Sequence, residues 1–117
     1  METTQLFLAG EWQDTREHLE VRSPFDGHVV AEVARGGPAE LEAAAEAAEL
    51  AAAAFAGLEP ASRGAILERA GRLVRDRREE LARAISEQAG KPISLARLEA
   101  DRCADTLAEA ADIARHP

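Results

Sequence analysis

Cys103 is the only thiol among 117 residues, and a lone thiol is the first place to look for covalent chemistry because a thiolate attacks electrophilic carbon. A working nucleophile needs a neighbouring cation, a histidine or a helix N-terminus to lower its pKa. Cys103 has none at three or four residues' distance. It lies beside Thr106, Leu107, Ala110, Ile113 and Ala114 at helical spacing, which predicts a buried structural cysteine. Glu99 sits one turn before it, with Arg102 three residues on, and that spacing predicts a structural ion pair. Lys91 could meet a phosphate as a point charge, but it directly follows a helix end and is expected to cap the last carbonyls. His18, His28 and His116 show no paired spacing on one helix face, so no metal site is expected. Gly36-Gly37 stands between a strand and a helix start but lacks the third glycine of a dinucleotide loop. The expectation is therefore no catalytic, no cofactor-binding and no metal-ligating residue in this chain.

The elements that would position these residues are read from periodicity and punctuation. Gln5 to Gln13 carries two short apolar-bearing runs around Ala9-Gly10, which predicts a hairpin. Leu19–Arg22 and His28–Ala34 flank Ser23-Pro24-Phe25-Asp26-Gly27, a turn in which proline fixes φ, and Val29, Ala31 and Val33 would share one face. Residues 1–35 are thus short strands and hairpins. Gly36-Gly37-Pro38 opens a helix over 38–56, with Glu40 suited to the positive end of its dipole. Its stripe is Leu41, Ala44, Ala45, Ala48, Ala52 and Phe55, mostly small side chains. Pro60 opens a second helix over 60–89, where Ile66, Leu67, Ala70, Leu73, Val74, Leu81, Ala84 and Ile85 recur at three- and four-residue steps. Gly64 and Gly71 inside it are costly unless another backbone packs there. Gly90 and Pro92 end it. A third helix is expected over 93–115, with Arg97 and Asp101 paired at i, i+4 and an apolar side running through Cys103, Leu107 and Ile113. The fold class is α+β, mostly helical.

Composition narrows the function. A net charge of -8 and arginines interleaved with glutamates argue against nucleic acid, because phosphate binding needs cations that are not neutralised nearby. The run Arg72 to Arg78 is followed at once by Glu79 and Glu80, a solvated helix face. One cysteine permits neither an internal disulfide nor a CxxC metal motif and suits a reducing compartment. The first residues lack the basic and apolar regions of a secretory signal. No stretch approaches the roughly 20 apolar residues of a membrane span, and a cytoplasmic setting is expected. Open-edged short strands and helices with one-sided stripes need more partners than these residues provide.

Three segments, in order and at matching distances, resemble the aldehyde dehydrogenase superfamily across nearly the whole chain. Leu6-Phe7-Leu8-Ala9-Gly10-Glu11-Trp12 is similar to that family's opening hairpin, with Ala9 in place of the usual asparagine. Ser23-Pro24-Phe25-Asp26-Gly27 resembles its Asn-Pro-x-Thr-Gly turn, and the Phe-Asp-Gly wording hints at a small polar aldehyde. Pro60, Arg63, Ile66-Leu67, Leu73, Arg77 and Glu80-Leu81, followed by Gly90-Lys91-Pro92 and Glu99, resemble its long helix and the Gly-Lys-Pro after it. The resemblance implies a full-length enzyme that oxidises an aldehyde to a carboxylic acid with NAD or NADP. These residues would then be the N-terminal part of its α/β, Rossmann-like cofactor-binding domain, with the rest of the dehydrogenase chain as partner and a dimer or tetramer as the assembly. The family's catalytic cysteine, general base, oxyanion asparagine and phosphate-binding helix start all lie beyond Pro117. Cys103 matches none of them, and the segment alone is expected to be inactive. The alternative is a stand-alone, non-catalytic helical module that docks through its alanine stripes.

Overall fold

The computed structural model describes residues 3–116, which fall into two compact units divided after Ala56. In the first, β1 (Thr3–Thr4), β2 (Leu6–Leu8), β3 (Glu11–Gln13), β4 (His18–Arg22) and β5 (Val29–Ala34) precede helix α1 (Pro38–Ala56). β2 and β3 pair antiparallel with Leu8 opposite Glu11, so Ala9 and Gly10 are the whole loop. Both have positive φ, 51° and 87°, the requirement of a type I′ turn. Glycine meets it freely, whereas alanine is strained there. Phe7 and Trp12 face each other across the strands, ring centroids 5.0 Å apart, a favourable tilted aromatic pair.

β4 and β5 form the other antiparallel pair, with a register irregularity at Val21/Arg22. The loop between them is held by its own polar groups. The Ser23 hydroxyl accepts from the Phe25 N–H at 3.3 Å and the Ser23 carbonyl from the Gly27 N–H at 2.9 Å, while Gly27 takes φ 77°. These contacts make it a serine-initiated turn. β1 then adds to β5 in parallel, giving the order β1-β5-β4. The sequence reading has no such strand, because Thr3-Thr4 has no alternation to show and its partner lies far along the chain. Helix α1 buries no residue at all. Its stripe is uncovered, with Leu41 71% and Phe55 46% exposed.

The second unit contains α2 (Pro60–Asp76), α3 (Arg78–Ala89) and α4 (Ile93–Arg115). The single helix expected over 60–89 is two: Arg77 leaves helical geometry at φ -101°, ψ 19°. The apolar positions stop at Val74 and resume seven residues later at Leu81, two helical turns on, so the stripe keeps its phase across Arg77 while both helices meet the same partner, α4. Periodicity therefore cannot reveal the break. Local chemistry favours it, since Glu79 and Glu80 occupy the first turn of α3, where the helix dipole favours carboxylates. Gly90, at φ 67°, closes α3 by donating its N–H to the Ser86 carbonyl at 2.9 Å.

The expected apolar side of α4 also requires correction. Its buried residues are Ala96, Ala100, Ala104 and Ala111, whereas Ile113 is 70% exposed and Cys103 is exposed. The reason is the partner surface. A Cβ placed on Gly64 would stand 2.8 Å from the Ala111 carbonyl oxygen, and one on Gly71 would stand 3.4 Å from that of Ala104. At Gly64 the α4 backbone comes too close for a side chain on α2, with Arg115 beside it, while at Gly71 the Ala104 carbonyl and the Leu107 Cβ lie at ordinary contact distance. Cys103, one position from Ala104, is rotated out of the contact by about 100°, and Ile113, two positions from Ala111, by about 200°.

The two glycines should respond oppositely to alanine. Gly64→Ala forces a Cβ into a carbonyl and is expected to destabilise the chain by about 1–3 kcal/mol. Gly71→Ala meets only ordinary contacts and should gain up to about 1 kcal/mol from helix propensity. Urea unfolding followed by circular dichroism separates the two, and equal losses would refute the close-approach account. At the hairpin, Ala9→Gly should relieve strain and gain about 0.5–1 kcal/mol net of its entropic cost, read in the same experiment.

Candidate functional site

The residues with chemical potential lie on different elements. Cys103, expected to be a buried structural thiol, is instead an exposed free thiol on α4. Lys91, expected to cap α3, reaches eight residues on and pairs with the Glu99 carboxylate. Glu99 therefore takes Lys91 in place of the expected Arg102. The capping is done by the Gly90 N–H, and the Ser86 hydroxyl ties the chain beyond the helix by donating to the Lys91 carbonyl at 2.7 Å. Both charged side chains are more than two-fifths exposed, so this is a solvent-screened tie across the α3–α4 turn.

Each histidine has a local partner. His18 Nε2 lies 2.8 Å from Asp14 Oδ1, and its Nδ1 lies 3.9 Å from Glu32 Oε1. His28 Nδ1 meets Asp26 Oδ1, and His116 Nδ1 donates to the Asp112 carbonyl at 3.1 Å. Asp14 and Asp26 are held below the usual carboxylate range, chiefly by the hydrogen bonds from His18 and His28. Among the described residues, no group of three or more His, Cys, Asp or Glu side chains is arranged to hold a metal ion.

At Gly36-Gly37 the Glu40 carboxylate accepts from the Gly37 N–H at 2.7 Å, the reciprocal half of a capping box. An anion of the protein's own thus occupies the start of α1. The groove beside it, lined by Leu6, Leu8, Pro38 and Leu41, has its rim charges Arg35 and Glu17 already paired at 3.3 Å.

The densest chemistry is a charge network on the three-helix unit. Arg78 donates Nε and Nη2 to both oxygens of Asp101 at 2.6 and 2.8 Å. Arg97 forks onto Glu79, with Nε and Nη2 each 2.9 Å from an oxygen. The expected Arg97–Asp101 pair within α4 is therefore replaced by two bridges from α3. Adjacent residues on α3 meet residues one turn apart on α4, a spacing visible in the sequence once the two helices are known to face each other. Arg75 with Asp105, and Arg115 with Glu68, tie α2 to α4. The hydrogen bonds from Arg115, Arg97 and Arg78 hold Glu68, Glu79 and Asp101 below the usual carboxylate range. This network is fastening, with Arg75, Arg78, Arg97 and Arg115 each engaged by a carboxylate of another helix.

The identity of the chain comes from its likeness to other proteins. The family model described as the aldehyde dehydrogenase family matches residues 12–117. The chain belongs to the aldehyde dehydrogenase family. Bovine (Bos taurus) 2-aminomuconic semialdehyde dehydrogenase is 36% identical over 91 residues, covering 78% of this chain and 19% of that protein. An NAD-dependent aldehyde dehydrogenase from Sinorhizobium meliloti superposes with a TM-score of 0.93 at 30% identity, over 99% of this chain and 24% of that one. An NAD-dependent benzaldehyde dehydrogenase from Corynebacterium glutamicum gives 0.91 at 29% identity, over 99% and 26%. The chain spans about a fifth of the length of the curated relatives it matches. It corresponds to a short N-terminal segment of a dehydrogenase, and the segment keeps the dehydrogenase fold over almost its whole length.

Two measurements follow from this geometry. Carboxylates with lowered native pKa stabilise the fold above their unfolded values and lose that effect as pH falls through the native ones. The urea midpoint of the dehydrogenase segment should therefore hold at neutral pH and drop mainly below about pH 4. At neutral pH it should fall modestly in about 1 M salt. A midpoint insensitive to both would show that the network contributes nothing. Cys103, being exposed, should react with a thiol-specific chromogenic disulfide in the absence of denaturant, and a thiol silent until urea is added would contradict its placement.

Proposed function

We propose that the full-length protein is an NAD(P)-dependent aldehyde dehydrogenase that oxidises an aldehyde to a carboxylic acid. Residues 1–117 would form the N-terminal, outer part of its cofactor-binding domain. The observation that carries this reading is the match of residues 12–117 to the aldehyde dehydrogenase family. Dinucleotide phosphates are bound by free backbone N–H groups at a helix start, and the glycines near the turns and helix ends of this chain lend no support to such a role here. The Gly37 N–H is already taken by Glu40, and Gly10, Gly27 and Gly90 serve turns and a helix end. The proposal accordingly assigns no catalytic, cofactor-binding or metal residue to this chain and leaves the cofactor and the chemistry to the rest of the dehydrogenase.

The proposal extends to a small polar aldehyde, supported by the Phe25-Asp26-Gly27 turn and by the identity with 2-aminomuconic semialdehyde dehydrogenase. It also extends to a cytoplasmic homo-oligomer, dimer or tetramer. Among the described residues no helix is long and apolar enough to cross a membrane. The exposed stripe of α1, with Leu41 and Phe55, suits a segment that completes its core against further dehydrogenase chain.

Purified residues 1–117, mixed with NAD or NADP and a panel of aldehydes, should give no NAD(P)H absorbance. Any aldehyde-dependent turnover would overturn the assignment of all chemistry to other residues. In the native cell the intact mass should be several times 12.5 kDa. A mass of 12.5 kDa with a concentration-dependent oligomer would instead support a stand-alone docking module.

A further inference from the structure

We draw no further inference here: the strongest candidate, the uncovered apolar stripe of α1 with the shallow groove it forms beside the β2–β3 hairpin at Phe7, Leu8, Ala44 and Ala48, carries nothing because nothing in the structure shows what covers it.

Discussion

The close approach of α2 to α4 sets the terms for the rest of the three-helix unit. With Gly64 against the Ala111 carbonyl and Gly71 against that of Ala104, the two backbones come into direct contact, flanked by the Arg115 and Leu107 side chains. Such a contact gains many short dispersion contacts but buries little apolar area per residue. The buried residues of the unit are accordingly alanines and glycines, with Ala82 as the counterpart on α3. Ile66, Leu73, Leu95 and Leu98 stay substantially exposed.

Because the core is thin, the unit's edges are fastened by charge. Asp101 and Glu79 each receive a two-pronged guanidinium, from Arg78 and Arg97, and Glu68 receives Arg115. Each pair is partly exposed and individually modest. A fork fixes direction as well as distance, so these bridges set the rotation of α3 about α4 more than they deepen the energy well. The same residues that look like a surface charge run in the sequence thereby act as alignment.

In the first unit the constraints are local turns. Ala9-Gly10, Ser23–Gly27 and the Gly37–Glu40 cap each satisfy their own backbone groups within a few residues. That self-sufficiency places the strands while leaving α1 without a buried residue. Membership of the dehydrogenase family gives this openness its meaning, since the aligned part of the chain covers only 19% of a matched relative.

Local chemistry was legible in the sequence. Gly and Pro mark the hairpin, the Ser23 turn and the starts of α1 and α2, and the two helical glycines signalled a backbone contact correctly, because each of these features is decided within a few residues of chain. The family, too, was legible from motif order. What only the tertiary structure decided depends on partners distant in sequence. The break at Arg77 is hidden because α2 and α3 address one helix, β1 is chosen by β5, and Lys91 reaches Glu99 across a turn. Cys103 and Ile113 face outward because Ala104 and Ala111 lie on the side of α4 that meets Gly71 and Gly64. A one-dimensional pattern reports which residues are apolar; which of them are covered is fixed by the shape of the surface opposite.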